Sequence, residues 1–435
     1  MSRVLVGVPT APGAGVGPVV RFDGRPVDAA PQVVVAADLS PADVASFAGA
    51  VPTALATVAG APLSHAAILA RSLGIPVVTG LGPELLAVPP GTTVLVDGDA
   101  GTVRVTPTSE EVEAAHARQL AARRAGDKAR RLGAAPALTR DGRLVLVVAN
   151  VGSADDAGRA VSEGADGVGM LRTEFAFLNR ARPPSEQEQY LAYRSVADVI
   201  GARPLVVRTL DLGADVPAWD LDPEPNPALG NRGIRLALAR PDLLRTQLQA
   251  LARLAEVRPI DVMFPMVTTV DELRLAKAAV PLRARVGITV EVPAAALTAE
   301  RFAPIVDFFA IGTNDLTQYT LAADRGNAAV AALADGLHPA VLRLIAEVTA
   351  AGRRHARPVC VVGELACDPL AIPVLLGLGV TSLSVRPNAV AAVKQVVRTV
   401  SMDDARTLAA AAVDEESATS VRALVAHARA AAWPR

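Results

Sequence analysis

The sequence predicts an α/β protein in two parts, a compact α/β domain followed by a (β/α)8 barrel. Two patterns predict it. Residues 1–108 alternate short β-like runs with turns. From about Leu138, an apolar strand, a loop and a helix recur until eight strands have accumulated in about 250 residues, the count and length of such a barrel. Residues 109–137 turn polar and helical and mark a linker, the barrel takes residues 138–398, and residues 399–435 read as an alanine-rich helical extension.

In the first domain the candidate strands include Val33-Val34-Val35, Val77-Val78, Thr93-Val94-Leu95-Val96 and Thr102-Val103-Arg104-Val105. The turn pairs Asp97-Gly98 and Ala100-Gly101 separate the last two, as in a hairpin. Gly60-Ala61-Pro62-Leu63-Ser64 leads into an apolar-periodic segment starting at His65, and Gly74 and Pro76 close it, the punctuation of a helix about two turns long. His65 falls at the mouth of that helix, where free N–H groups and the positive dipole end favour negative charge. A histidine there either packs at a helix start or accepts a phosphoryl group that its own helix stabilises. The linker carries Arg118, Arg123, Arg124, Lys128, Arg130 and Arg131 among glutamates and without aromatics, so it reads as a solvated connecting helix rather than a nucleic-acid patch. The barrel strands are predicted at 144–148, 168–171, 205–207, 262–265, 286–290, 308–311, 359–362 and 382–385, with glycines such as Gly164 and Gly201 ending intervening helices.

The totals exclude several classes. The chain has 435 residues, enough for two or three domains with their own cores. A formal charge of −1 supplies no global field for nucleic acid or a membrane surface. No unbroken apolar run reaches the roughly 18 residues needed to span a bilayer, and Met1-Ser2-Arg3-Val4-Leu5-Val6-Gly7 lacks the core and cleavage site of a secretory signal. The two cysteines, Cys360 and Cys367, make neither a disulfide framework nor a metal-ligand pattern. The expectation is a soluble cytoplasmic protein that binds neither nucleic acid nor a membrane.

In such barrels chemistry sits on the loops that follow the strands. The polar residues just past the predicted strands are Arg172, Arg208, Glu291, Asn314 and Asp315, with Arg232 and Arg325 on longer excursions. Four arginines and two carboxylates on one face suit a small, multiply anionic substrate with a divalent cation, because the guanidinium fork binds phosphate and carboxylate oxygens in pairs. Glu291 and Asp315 close neighbouring strands, about 4.8 Å apart, so that one Mg2+ takes an oxygen from each. His116, His338, His355 and His427 lack such a setting and read as structural or exposed.

The runs Gly169-Met170-Leu171-Arg172-Thr173-Glu174-Phe175, Arg208-Thr209-Leu210-Asp211, Asn226-Pro227-Ala228-Leu229-Gly230-Asn231-Arg232 and Gly312-Thr313-Asn314-Asp315-Leu316-Thr317-Gln318-Tyr319 carry a resemblance. They are similar to those of the phosphoenolpyruvate-utilising enzymes, and among these to Enzyme I of the bacterial sugar phosphotransferase system. The stretch around His65 resembles the phosphohistidine signature of the same family. The resemblance implies a phosphoenolpyruvate-binding barrel joined to a swivelling phosphohistidine domain. By position, Glu291 and Asp315 would hold Mg2+, Arg172, Arg208 and Arg325 would clamp the phosphate and carboxylate, Arg232 and Asn314 would complete the pocket, and His65 would take the phosphoryl group in line. The implied activity is a phosphoenolpyruvate-dependent protein-histidine phosphotransferase that yields pyruvate, serves a phosphocarrier or other acceptor protein, and forms a homodimer through the barrel.

Four departures bear on that implication. Residues 22–32 are too short to hold the helical subdomain with which Enzyme I docks its phosphocarrier. The family's cysteine before Gly-Glu-Leu-Ala is Val362, with Cys360 on the same strand face about 6.6 Å deeper and Cys367 just beyond the motif. A family lysine after Arg-Thr-Leu-Asp is Val216, and the usual glycine and threonine before the serine-histidine pair are Ala61 and Leu63. The alternative reading is therefore a phosphoenolpyruvate-binding regulator that has lost turnover. A dikinase fragment is a third, but the chain holds no stretch with the length and glycine pattern of an ATP-binding domain.

Overall fold

The computed structural model describes residues 3–24, 31–62, 64–178, 180, 182–212, 224–280, 284–327 and 329–432. They divide into two compact units, Met1–Lys128 with Leu321–Ala334, and Ala129–Thr320 with Asp335–Arg435. Val216 and Leu63 lie outside the described residues. Among the described residues no helix is long and apolar enough to cross a membrane.

The first unit holds the strands β1 (Arg3–Val6), β2 (Val8–Ala11), β3 (Ala14–Arg21), β4 (Val33–Ala36), β5 (Ala54–Thr57), β6 (Val77–Thr79), β7 (Thr93–Asp97) and β8 (Thr102–Val105). They form one mixed sheet in the order β1-β8-β7-β3-β4-β5-β6-β2. β7 and β8 are the antiparallel hairpin that the turn residues require, and Asp97 Oδ1 accepts the N–H groups of Asp99 and Ala100 at 3.1 and 3.0 Å. The successive pairs from β3 to β6 are parallel. Such strands read as unbroken apolar runs because both faces are covered. Val33 and Val35 pack with Val19, Val78 and Val96, while Val34 and Ala36 pack with Phe47, Leu55 and Ile75.

Two short helices, α1 (Pro41–Ser46) and α2 (His65–Ser72), follow β4 and β5. α2 starts because Ser64 Oγ accepts the Ala67 N–H at 3.2 Å, satisfying one of the orphan donors of a helix start. It ends in a Schellman arrangement, with Ile75 N–H on the Ala70 carbonyl and Gly74 N–H on that of Arg71. Arg71 fixes the helix in place, donating through Nε to the Thr10 carbonyl at 2.6 Å and through a second nitrogen to the carbonyl of Pro62. α3 (Ser109–Gly133) is the predicted linker helix; in the first unit its Ala115 packs on Ala14 and Leu95, and its Arg118 pairs with Asp97 at 2.8 Å.

The second unit begins with β9 (Ala137–Leu138), antiparallel to the first barrel strand. The barrel consists of β10 (Leu144–Val151), β11 (Val168–Arg172), β12 (Leu205–Arg208), β13 (Asp261–Phe264), β14 (Arg285–Val290), β15 (Phe308–Gly312), β16 (Val359–Val362) and β17 (Ser382–Val385). Every neighbouring pair is parallel, and β10 pairs with both β11 and β17, which closes the ring. All eight strands coincide with the apolar runs of the sequence. Met170, Met263, Phe308, Ala310 and Val362, with Val206 and Cys360 against them, form one cluster. Residues of β11 and β15, which are not neighbours in the sheet, meet there, so this cluster fills the barrel interior as a packed core. Each fully buried aliphatic or aromatic side chain of this kind contributes about 1.5–3 kcal/mol. After the barrel come two further helices, Met402–Asp414 and Ala418–Ala432.

Candidate active site

The ends of β12, β14 and β15 bring charged side chains to the C-terminal face of the barrel. Arg208 is the last residue of β12, Glu291 follows β14 directly, and Asp315 lies in the first turn of the helix Thr313–Leu321 that follows β15. β14 and β15 pair along their length, so Glu291 and Asp315 stand at the same end of adjacent strands. Gly312 makes this possible, since a Cβ there would come within 2.5 Å of Glu291 Cγ. Arg172 closes β11 opposite Arg208 in the strand register.

These groups form one buried network. Arg208 Nη2 donates to Glu174 Oε1 at 2.7 Å, and its Nη1 lies 3.1 Å from Asp211 Oδ2 and 3.7 Å from Glu291 Oε1. Arg232 reaches Asp211 with two nitrogens, at 3.2 and 2.9 Å, and Asp315 Oδ1 with Nη1 at 3.1 Å. Glu291 Oε2 accepts the Met266 N–H at 2.8 Å. Met266 holds a positive φ of 58°, a strained conformation for a residue with a side chain. Glu291 is 2 % exposed and Arg232 5 %.

Among the six charged side chains Glu174, Arg208, Asp211, Arg232, Glu291 and Asp315, four carboxylates face two guanidiniums. The imbalance falls on Glu291: burial, then the nearby Asp315 and Asp211 carboxylates, push it up to about 8. Burial alone would also raise Asp211, but Arg232 and Arg208 outweigh it and hold that carboxyl below its ordinary range. Two buried atoms, Arg208 Nε and Glu174 Oε2, have no hydrogen-bond partner among the described residues. No group of three or more His, Cys, Asp or Glu side chains there is placed to cage a metal ion.

The loop after β16 frames the other side. Asn314 Oδ1 accepts the Glu364 N–H at 3.1 Å, Thr313 Oγ1 donates to the Val362 carbonyl at 3.0 Å, and Arg386 Nη1 pairs with Glu364 Oε2 at 2.9 Å. Gly363, with φ of 123°, leaves room for these contacts, because a Cβ would meet Thr313 Oγ1 at 2.7 Å. The turn Glu364–Cys367 brings the Cys367 Sγ back to 3.9 Å from the Gly363 carbonyl. Val362 lines the barrel interior beside Cys360, whose thiol burial pushes up to about 11.

The structure thus brings Arg208, Arg232, Glu291 and Asp315 into one network and places Arg172 and Asn314 at the same rim. His65 opens α2, and Arg325 lies in the segment Leu321–Ala334; both belong to the first unit. Of the other histidines, His116 and His427 are exposed, His338 caps the helix Pro339–Arg354 through Nδ1, and His355 pairs with Glu300. Sequence reasoning missed Glu174, Asp211 and Tyr319. The signal was available for each: Glu174 and Asp211 lie within three residues of a strand-end arginine, and Tyr319 follows Asp315 at the i,i+4 spacing of one helix face.

Comparison with known proteins adds the lineage. Residues 126–402 match the PEP-binding domain of the PEP-utilising enzymes, and residues 29–101 match their mobile domain. The chain is 44% identical over 409 residues to a multiphosphoryl transfer protein of Xanthomonas campestris pv. campestris, covering 91% of this chain and 49% of that one. It is 43% identical over 376 residues to a phosphoenolpyruvate-protein phosphotransferase of a Bacillus species, covering 82% and 65%. Against the enzyme of that name from Streptomyces coelicolor it is 44% identical over 411 residues, covering 93% and 73%. The chain therefore spans about half the length of the multiphosphoryl transfer proteins that it matches. With one match over the barrel and a second over the domain before it, this chain belongs to the family of phosphoenolpyruvate-utilising enzymes.

Proposed function

We propose that this chain is a phosphoenolpyruvate-dependent protein-histidine phosphotransferase, moving the phosphoryl group of phosphoenolpyruvate to His65 and on to an acceptor protein. The observation that supports the reading is the crowded buried charge at the barrel rim, where four carboxylates share the guanidiniums of Arg208 and Arg232 and two polar atoms lack partners among the described residues. Burying such charge without a ligand costs stability. A small polyanion bound together with a divalent cation supplies what is missing.

The donor set fits Mg2+. Carboxylates are hard oxygen ligands, and Mg2+ typically takes one or two of them and fills its shell with water and substrate phosphate. Burial and like charge already press on Glu291, which a cation would relieve. Glu291 and Asp315 are the residues that would hold it, and the ion, when bound, supplies charge neutralisation at the phosphoryl oxygens. Arg172, Arg208, Arg232, Asn314 and Arg325 are assigned to the phosphate and carboxylate. Residues 1–108 are assigned as the module that carries His65, 109–137 as its arm, 138–398 as the binding barrel and 399–435 as an extension.

The neutral imidazole of His65 is the nucleophile: its nitrogen bonds to phosphorus as the bond from phosphorus to the enol oxygen breaks, and the released enolate takes a proton at C3 to become pyruvate. The helix that His65 opens favours the added negative charge. Incubation with labelled phosphoenolpyruvate and Mg2+ at neutral pH is expected to leave an acid-labile label on the parent and none on His65→Ala. An unlabelled parent overturns the proposal.

A second reading rests on Val362. The interior position that it occupies carries no ionisable group, and the thiol on the same strand face, Cys360, is two residues deeper and held protonated. That favours a phosphoenolpyruvate-binding regulator with lost turnover. Mg2+-dependent binding by calorimetry without label or pyruvate would select it; steady pyruvate formation would exclude it.

A further inference from the structure

The helix Thr313–Leu321 contributes more to the rim than Asn314 and Asp315. One turn beyond Asp315, the Tyr319 hydroxyl donates to the Ala228 carbonyl and accepts from Arg232 Nη1 at 3.2 Å, with Met266 Sδ 3.9 Å away. The direction of both bonds is fixed, because a carbonyl has no proton to give and a guanidinium has no lone pair to offer. One hydroxyl therefore joins the loop after β12, through Ala228 and Arg232, to the helix after β15.

We infer that Tyr319 is a positioning residue for anion recognition at this rim: its hydroxyl holds the Arg232 guanidinium, and the loop that carries it, in the geometry that the anion meets. The identity of the anion rests on the phosphoenolpyruvate reading above; the clamp itself does not. The rest of the loop shows why a tie is needed here. Glu224 accepts the Asn231 N–H with both oxygens, at 3.1 and 3.0 Å, and Arg235 Nη1 donates to the Leu229 and Gly230 carbonyls at 3.0 and 3.1 Å. The first of these closes the loop on itself, and the second ties it to the helix Ile234–Ala239, whose Arg235 also reaches Thr268 Oγ1 at 3.4 Å. The loop's far end is tied to the barrel where Ile234 N–H meets the Pro265 carbonyl at 3.1 Å. Ala228 is tied by Tyr319.

Arg232 has five N–H donors. Asp211 takes Nε and one from Nη2, and Asp315 and Tyr319 share Nη1. The carboxylates anchor the charge, while the neutral hydroxyl sets the direction of Nη1 without competing for it as strongly as an anion would. Burial pushes the phenol up to about 12, so the hydroxyl keeps its donor proton through the neutral range.

Tyr319→Phe keeps the ring and removes only the hydroxyl. In the full chain without ligand, amide hydrogen exchange is expected to accelerate across 224–232 and to stay at the parent rate in the β16 loop, 363–368. With Mg2+ present, the KM for phosphoenolpyruvate is expected to rise about tenfold, the loss of one hydrogen bond to a charged donor, with the change carried by KM rather than kcat. A purely structural tyrosine would lower the melting temperature without that split. In an Arg232→Lys background, which has no fork to orient, Tyr319→Phe is expected to add less than threefold. Unchanged exchange at 224–232, or an equal loss in both backgrounds, overturns the inference. If the parent itself fails to bind phosphoenolpyruvate, the substrate reading falls, and the ligand-free exchange at 224–232 still decides the clamp.

Discussion

Glu291→Gln is expected to stabilise the metal-free protein, and by an amount that grows with pH. In the fold, burial and the neighbouring Asp315 and Asp211 raise the Glu291 carboxyl from 4.5 to about 8. A carboxyl that binds its proton more tightly when folded contributes most below its unfolded value. Stability is therefore lost as pH rises from about 4.5 and levels off above about 8. At 1.36 kcal/mol per unit, the loss is about 2 kcal/mol at pH 6 and about 5 kcal/mol at pH 9. Glutamine has nearly the same shape, can still accept the Met266 N–H, and carries no charge to lose. For a barrel of this size each kcal/mol moves the melting temperature by roughly 2 °C. In EDTA the variant should thus melt about 4 °C above the parent at pH 6 and about 10 °C above it at pH 9. Thermal melts by circular dichroism across that range measure it. Equal offsets at pH 6 and pH 9, or a less stable variant, would refute the claim that uncompensated negative charge sits at this rim.

Three further outcomes follow from the same geometry. Because Glu291 is largely protonated at pH 7, Mg2+ binding should release close to one proton per site, read by calorimetry in buffers of different ionisation enthalpy; no buffer dependence would remove Glu291 from the ligand set. Val362→Cys puts a thiol on the interior wall above Cys360 and should raise pyruvate release at least tenfold in a coupled assay, whereas an unchanged rate would show that another group already protonates the enolate. Lys394 is 0 % exposed and donates to Asp166, Gly133 and Ala135, so Lys394→Ala should cost about 1–3 kcal/mol in urea denaturation by removing the donor to two backbone carbonyls and the cation beside Asp166. Lys394→Ala with Asp166→Asn should recover part of that cost.

The barrel was legible because most of its strand residues are buried and therefore appear as unbroken apolar runs, although β10 also exposes Leu144 and Leu146. The first domain was less so. β2 contains Pro9, which its place at the sheet edge tolerates, and β3 carries Gly15, Gly17 and Pro18, so neither reads as a strand from its composition. At the rim, the strand-end rule finds Arg172, Arg208, Glu291 and Asp315, because such positions follow from the fold alone. Which group pairs with which does not. That Asp211 grips Arg232, from the other end of the same loop, depends on where that end is fixed by the Ile234 N–H on the Pro265 carbonyl. Tyr319 shares a helix face with Asp315, but its tie to Ala228 runs through a backbone carbonyl that carries no sequence signal.

The rim cluster differs from two other charged clusters of the same unit in what it brings together. Lys394 uses its three donors on three acceptors and sits fully buried. Arg422 sends Nε and Nη2 to the two oxygens of Asp335 and Nη1 to Asp368, at 2.7, 3.0 and 2.8 Å. Lys394 and Arg422 each spend these donors on acceptors, yet Arg398, which shares the Ala135 carbonyl with Lys394, keeps a buried Nη1 without a partner among the described residues. The rim also leaves Arg208 Nε and Glu174 Oε2 without a partner among the described residues, and it adds what those clusters lack, four carboxylates gathered on two guanidiniums and a Met266 held at a positive φ. Unpaired buried donors therefore do not mark a site by themselves; the crowding of carboxylates at the C-terminal face of the barrel is what distinguishes the rim. A ligand bringing both a cation and anionic oxygens would meet that crowding and give Arg208 Nε an acceptor. Any such ligand stabilises the fold in proportion to the logarithm of its excess over Kd. The gain on adding Mg2+ and phosphoenolpyruvate together should therefore exceed the sum of the gains from each alone.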